Sequence, residues 1–302
     1  MSHPVIGALR ERPADARIAL VIEGGGMRGA VSGGMGLGLD ELGLNGAFDA
    51  VYGASAGALN GLWFVSGRVR VGSPTWTDQE WADALIRRRR VVLPGPVVDV
   101  DGLVEERYER LSPGIFAAAL AAPTELHPIA TDVRTGQPVD LYPAIDDEAT
   151  LRVALRASAS LPLLAGPPVE LAGRRYLDAG LSAAIPIRAA LADGATHVLV
   201  LRSRRRGEVV EPSTGRSAAL VTRMLRRIDP AVAAAFASRP EREGEDEALL
   251  ARHDADPQLT PHILSIRPPD DAPVPGRLER DLGVVAAALE GGRQAAHTAL
   301  GR

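Results

Sequence analysis

Twice between residues 17 and 66 the chain runs an apolar segment into a glycine turn and out again into a helical pattern. The first unit is "RIALVI" (17–22) followed by "EGGGMRGA"; the second is "FDAVYG" (48–53) followed by "ASAGALN". A short, unbroken apolar run that stops at glycine reads as a strand buried on both faces, as parallel sheets require. Strand, turn, helix, repeated at once, is the rhythm of a doubly wound α/β sheet. The helix expected after the first turn, Met27–Leu44, contains Gly33, Gly34, Gly36 and Gly38. Each costs about 0.5–1 kcal/mol relative to alanine inside a helix, so their density implies a helix pressed against another backbone.

The same reading places further strands at "LHPIATDV" with "QPVDLY" as its hairpin partner, "PPVEL" with "RRYLD", "THVLVLRS" and "PHILSIRP". Helices are expected at 56–66, 76–90, 101–120, 148–159, 183–192, 215–238 and 278–300, and an exposed charged helix within 239–258. No internal repeat or long linker divides the 302 residues, so one domain over 1–302 is expected. Its motif-bearing part is 17–203, and 204–302 is a helical, charged C-terminal part.

Composition removes several function classes. A net charge of -4 gives no reason to expect a nucleic-acid partner. All 34 basic residues are arginine, and the runs "RRRR" (87–90) and "RSRRRG" (202–207) read as solvated faces. The chain has no cysteine, which excludes disulfides, thiolate metal sites and a cysteine nucleophile. No secretory signal pattern and no run of about 18 apolar residues is present, so a cytoplasmic protein is expected, with peripheral membrane contact left open.

Two short motifs sit at the glycine turns. Gly24, Gly26 and Gly29 satisfy GxGxxG, and Asp49 follows twenty residues later, as in a dinucleotide-binding unit. Asp49 opens the second strand, however, whereas a ribose-binding acid closes it. The alternative use of "GGGMRG" is a row of backbone N–H groups at a helix start, aimed at developing negative charge. Gly53, Ser55 and Gly57 form GxSxG, the strand-to-helix elbow that presents a nucleophilic serine. Such a serine needs a base. Among His3, His127, His197, His253, His262 and His297, none stands in a context that earns the role. Asp178, in "RRYLDAGLSAAIP", is the better partner, since a strand-end position would bring its carboxylate to the same sheet edge as Ser55.

Taken together, "GGGMRG" at 24–29, "GASAG" at 53–57 and the triplet Asp178, Ala179, Gly180, within "RASASLPLLAGPPVELAGRRYLDAGLSAAIP" (156–186), resemble the patatin-like phospholipase family. The resemblance implies a three-layer α/β/α sandwich with a mostly parallel central sheet. It implies a Ser–Asp dyad without histidine, with Ser55 as nucleophile and Asp178 as proton acceptor. It also implies an oxyanion hole from the N–H groups of Gly25 and Gly26, beside Arg28, and neither metal nor organic cofactor. One departure is Ala179, which replaces the usual glycine and brings the turn geometry into question. The expected activity is hydrolysis of lipid esters, phospholipid or lysophospholipid first. A general carboxylesterase or thioesterase, a dinucleotide-binding protein and a non-catalytic binding protein are the alternatives. Arg28 would either hold a substrate phosphate or brace its loop. The lipid pocket is expected from segments 67–123 and 205–260.

Overall fold

The computed structural model describes residues 3–87, 96–208 and 215–301, with residues 216 and 217 as backbone only. The apolar runs form eight strands: β1 (Ile18–Ile22), β2 (Ala50–Ala54), β3 (Glu125–Asp132), β4 (Pro138–Asp140), β5 (Val169–Leu171), β6 (Arg174–Asp178), β7 (His197–Leu201) and β8 (His262–Ile266). They make one sheet in the order β5-β6-β3-β2-β1-β7-β8, with β4 beside β3. The stretch from β3 to β8 is parallel throughout, while β4, β5 and β6 run antiparallel to their neighbours. Strand order reverses direction at β1, and crevices at such a point open at the carboxyl ends of the strands. Both glycine turns stand at that edge.

Alternation along the strands builds two cores. Ile18, Leu20, Ile22, Val51, Leu199 and Leu201 join one buried cluster. Ala19, Val21, Ala50, Tyr52, Val198 and Val200 join the other, on the opposite face. Helices α1 (Pro4–Glu11), α2 (Gly29–Glu41), α3 (Ala56–Val65), α4 (Glu148–Ala159), α5 (Ile187–Ala192), α6 (Gly215–Ile228), α7 (Pro230–Ala237), α8 (Arg239–Ala255) and α9 (Leu282–Leu300) flank the sheet. The expected three-layer α/β/α architecture is therefore present.

The glycines of α2 explain themselves against α9. A Cβ on Gly34 would lie 1.8 Å from the Leu289 carbonyl oxygen, and one on Gly292 would lie 2.1 Å from that of Val31. The two helices approach backbone to backbone, which the glycine density of α2 foreshadowed.

Several expectations need correction. Segment 101–120 is helical in two pieces rather than one: a continuous run over 100–111 whose middle, Leu103–Arg107, is π-helical, and Ile115–Leu120, parted at Pro113 and Gly114. The 76–90 expectation shrinks to Gln79–Leu85, and of the run 87–90 only Arg87 lies within the described residues. Segment 215–238 breaks before Pro230. Segment 239–258 holds a helix, α8, but buries Glu243, Asp246, Leu250 and His253. The N-terminus begins with α1, capped by a histidine: His3 Nδ1 accepts from the Val5 amide at 3.2 Å, and Val5, Ala8 and Leu9 are buried. The run 202–207 is not a solvated face either, since Arg202 and Arg204 are buried against carboxylates.

Candidate active site

Ser55 stands between β2 and α3 with φ 53° and ψ -122°, a conformation that costs an L-residue of order 1–3 kcal/mol and that the elbow must hold by close packing. The flanking glycines make that packing possible. A Cβ at Gly57 would lie 2.3 Å from the Ile22 carbonyl oxygen, and one at Gly53 would lie 2.6 Å from the Ala58 amide nitrogen. The Ser55 amide donates to Ser158 Oγ at 3.0 Å, and that hydroxyl donates onward to the Ile129 carbonyl at 2.6 Å. Ser158 thus ties the elbow to β3. It lay inside the quoted stretch "RASAS", but a serine near the end of an amphipathic helix carries no signal that separates a tie from a surface hydroxyl.

The Ser55 hydroxyl donates to Asp178 Oδ2 at 2.6 Å, with both residues buried. Asp178 reaches this edge for a reason other than the one anticipated. β6 runs antiparallel, and it pairs only with the last residues of β3, Ala130 opposite Asp178 and Asp132 opposite Tyr176. The end of β6 therefore returns to the level at which β2 finishes. The Gly180 amide donates to Asp178 Oδ1 at 2.7 Å, and Thr131 Oγ1 donates to the Asp178 carbonyl at 2.9 Å. Ala179 enters a tight 3-10 turn, Ala179–Leu181, without positive φ, so no glycine is needed there. Burial pushes the Asp178 carboxyl up to about 6, although its hydrogen bonds from Ser55 and Gly180 and the charge of Arg239 oppose the rise.

Next to this pair lies the first glycine turn. The Gly24 amide donates to the Ala184 carbonyl, Met27 to that of Arg277 and Arg28 to that of Gly25. Those of Gly25 and Gly26 have no acceptor among the described residues, and Gly26 holds φ +60°. Gly26 and Ser55 line the same pocket. Backbone N–H groups left without an acceptor are the kind of donor that can meet developing negative charge. Beneath the turn, Glu23 is buried against Arg202 at 2.9 Å, Arg204 at 3.6 Å and the Ser203 amide at 2.6 Å. Burial alone would raise the Glu23 carboxyl, but these cations and the amide hold it below the usual range. The signal was present in "VIEGGG", where a charge closes a fully apolar strand. Arg28 turns to the Pro275 carbonyl, 3.2 Å from Nε, and to Glu208 at 3.8 Å, as a brace for the loop.

From Ser55 an apolar pocket extends past Met27, Leu59, Trp76, Leu85, Val98, Val100, Ala159 and Leu161, with Arg277 and Leu278 at its rim. It abuts a second apolar space, sharing Met27, Leu59, Trp76 and Leu85, that ends against Trp63, Trp81 and Tyr108. The expected contribution of 67–123 is there. The expected contribution of 205–260 is absent among the described residues, where the segment just before α9 takes its place.

The other candidates lie apart from Ser55. His197 and His262 open adjacent parallel strands at the opposite sheet edge, with rings 5.0 Å apart. Burial and mutual repulsion with His262 lower His3 and His197, while burial and Arg252 lower His253. His297 meets Glu41 at 2.6 Å. His127 is stacked between Tyr52 and Tyr142 and meets Asp140 at 2.6 Å. Glu125, His127 and Asp193 converge closely enough to hold a metal, but the Arg17 guanidinium already bonds both carboxylates. Asp49 accepts from the Ile18 amide at 2.7 Å and pairs with Arg12 at 2.7 Å, which fixes the amino end of β1 and takes it far from any ribose role at the carboxyl edge.

The uncharacterized protein YjjU of Escherichia coli is 32% identical over 66% of this chain and 55% of its own length. Uncharacterized NTE family proteins of Mycobacterium tuberculosis and Mycobacterium bovis are 28% identical over 99% of this chain and 49% of theirs. The chain thus spans about half the length of the curated relatives it matches. The sequence model of the patatin-like phospholipase family matches residues 20–191, from β1 through α5, and so takes in both glycine turns, Ser55 and Asp178. On that match, the chain belongs to the patatin-like phospholipase family.

Proposed function

We propose that the protein is a serine acyl hydrolase that cleaves lipid esters, phospholipid or lysophospholipid, through a dyad of Ser55 and Asp178. The observation that carries this reading is the 2.6 Å hydrogen bond from the hydroxyl of Ser55, which lines an apolar pocket, to the buried Asp178 carboxylate. Family membership supports lipid acyl hydrolysis in general; the dyad and the choice of ester are our own reading.

In the proposed cycle Ser55 Oγ attacks the ester carbonyl carbon while its proton passes to Asp178 Oδ2. A carboxyl raised to about 6 is a better proton acceptor than an ordinary aspartate, and the raised value has the same origin as the dryness of the site. Negative charge on the former carbonyl oxygen is met by the Gly25 and Gly26 amides, each such donor contributing about 2.7–4 kcal/mol in comparable enzymes. Protonated Asp178 then gives its proton to the departing alcohol or lysolipid as the carbon–oxygen bond breaks, leaving an acyl-Ser55 ester. Water, deprotonated by Asp178, attacks that ester, and the proton returns to Ser55 as fatty acid leaves.

The test is hydrolysis of a short p-nitrophenyl ester and of a phospholipid panel. Ser55→Ala and Asp178→Asn should each reduce turnover at least about a thousandfold, while His253→Ala and His262→Ala leave it intact. Loss of activity in a folded histidine variant would refute the dyad.

A further inference from the structure

Most of the described arginines have a carboxylate: Arg152 meets Glu109, Arg156 meets Asp101, Arg188 meets Asp246, and Arg202 meets Glu23 and Glu247. Helix α6 (Gly215–Ile228) is different. Its sequence, "GRSAALVTRMLRRI", contains no acidic residue, and Arg223, Arg226 and Arg227 have no hydrogen bond or ion pair among the described residues. The same helix carries Leu220, 60% exposed and the most exposed of the described large apolar side chains, and Met224, 37% exposed.

These residues share one face. At 100° per residue, Leu220, Arg223, Met224 and Arg227 fall within an arc of about 100°. The inner face, Val221, Leu225 and Ile228, is centred about 120° away and packs on Val133, Leu177 and Leu181. Val133 follows β3, and Leu177 and Leu181 bracket Asp178, so α6 is seated at the carboxyl edge of the sheet, on the segment that supplies the carboxylate. Arg175 is exposed, unpaired among the described residues and on the same strand face as Leu177.

We propose that the outer face of α6 is a docking surface for anionic lipid bilayer. An aqueous protein surface gains nothing from placing Leu220 in solvent beside cations that no described carboxylate meets. A headgroup layer accepts both, because the apolar side chains enter the acyl boundary while the guanidiniums meet phosphates. A nucleic acid would meet the charge but leave Leu220 and Met224 without a partner. This inference rests on the lipid-hydrolase reading, under which the substrate resides in a bilayer, and the surface would bring the site to it.

Vesicle co-sedimentation tests it, with the full chain carrying Ser55→Ala so that lipid is not consumed. Vesicles of one part phosphatidylglycerol to two parts phosphatidylcholine should bind, and pure phosphatidylcholine should bind far less. Arg223→Gln and Arg227→Gln should each weaken partition about fivefold, with a shallower salt dependence, and Leu220→Ser with Met224→Ser should weaken it at unchanged salt dependence. In the Ser55 background the same substitutions should leave p-nitrophenyl ester turnover intact. Equal binding of both vesicle types, or no difference between parent and variants, would overturn the docking surface. Failure of the Ser55 protein to hydrolyse any ester would instead sink the hydrolase reading, and the vesicle result would be unaffected.

Discussion

Asp178→Asn should remove activity and at the same time stabilise the protein at neutral pH. The carboxyl lies at about 6 in the folded chain against an ordinary 3.8, because burial disfavours its charge. The folded state therefore holds the proton more tightly than the unfolded state does. Between roughly pH 4 and pH 6 stability falls as pH rises, and above about 6 the whole cost is in force. A shift of about 2 units corresponds to about 3 kcal/mol. The asparagine keeps the contacts, with Oδ1 accepting from the Gly180 amide and Nδ2 facing the Ser55 hydroxyl, so most of that cost should be recovered. Urea denaturation near pH 7.5 should show the variant more stable than the parent by about 2–3 kcal/mol, and near pH 4 the difference should close. A variant less stable than the parent near neutrality, or a difference unchanged at low pH, would refute the account of a carboxylate held ionised against its surroundings.

The same carboxyl should give kcat/KM for a soluble ester an acid limb with a midpoint at about 6, rising with pH as Asp178 becomes the acceptor; a rate that falls through this range would count against it. Ser158→Ala leaves the buried Ser55 amide without its 3.0 Å partner, a loss of about 1–3 kcal/mol. Stopped assays should find kcat lowered roughly tenfold to a hundredfold, with KM nearly constant. Gly34→Ala drives a methyl group to 1.8 Å from the Leu289 carbonyl and should destabilise by about 3 kcal/mol or more in thermal melts. Gly7→Ala, whose Cβ meets nothing within 4 Å in α1, should stabilise by about 0.5–1 kcal/mol.

What could be read from the residues was whatever depends on near neighbours in the chain. Ile18–Ile22 and Ala50–Ala54 are apolar at every position, and both lie fully buried in the sheet. GxSxG is only partly local: Gly53 is needed by the Ala58 and Gly57 backbone of its own elbow, whereas Gly57 is needed by the backbone of Ile22 and Glu23, on and just after β1. Non-local facts stayed hidden. Nothing within "RRYLD" says that β6 runs against β3, so the expected edge for Asp178 was right by a route that the topology does not follow. Arg202 and Arg204 look like surface charge because their partners, Glu23, Glu243 and Glu247, are distant in sequence. Pocket segments were missed for the same reason: Arg277 and Leu278 reach Ser55 only because α9 folds back on α2.

That return has a practical consequence for anyone who trims the protein to its family-matched stretch. A fragment ending at 191 or 203 would retain the serine, the aspartate and both glycine turns. It would lack the Arg277 carbonyl that accepts from the Met27 amide at 3.0 Å, and the helix whose backbone fills the groove along Gly34 and Gly38. Such a fragment would expose a strip of bare glycine backbone where α9 belongs. The motif residues at 24–29, 53–57 and 178–180 and the residues that hold them in register, at 277 and along α9, are far apart in sequence, and mutational screens confined to the motifs would sample only one of the two sets.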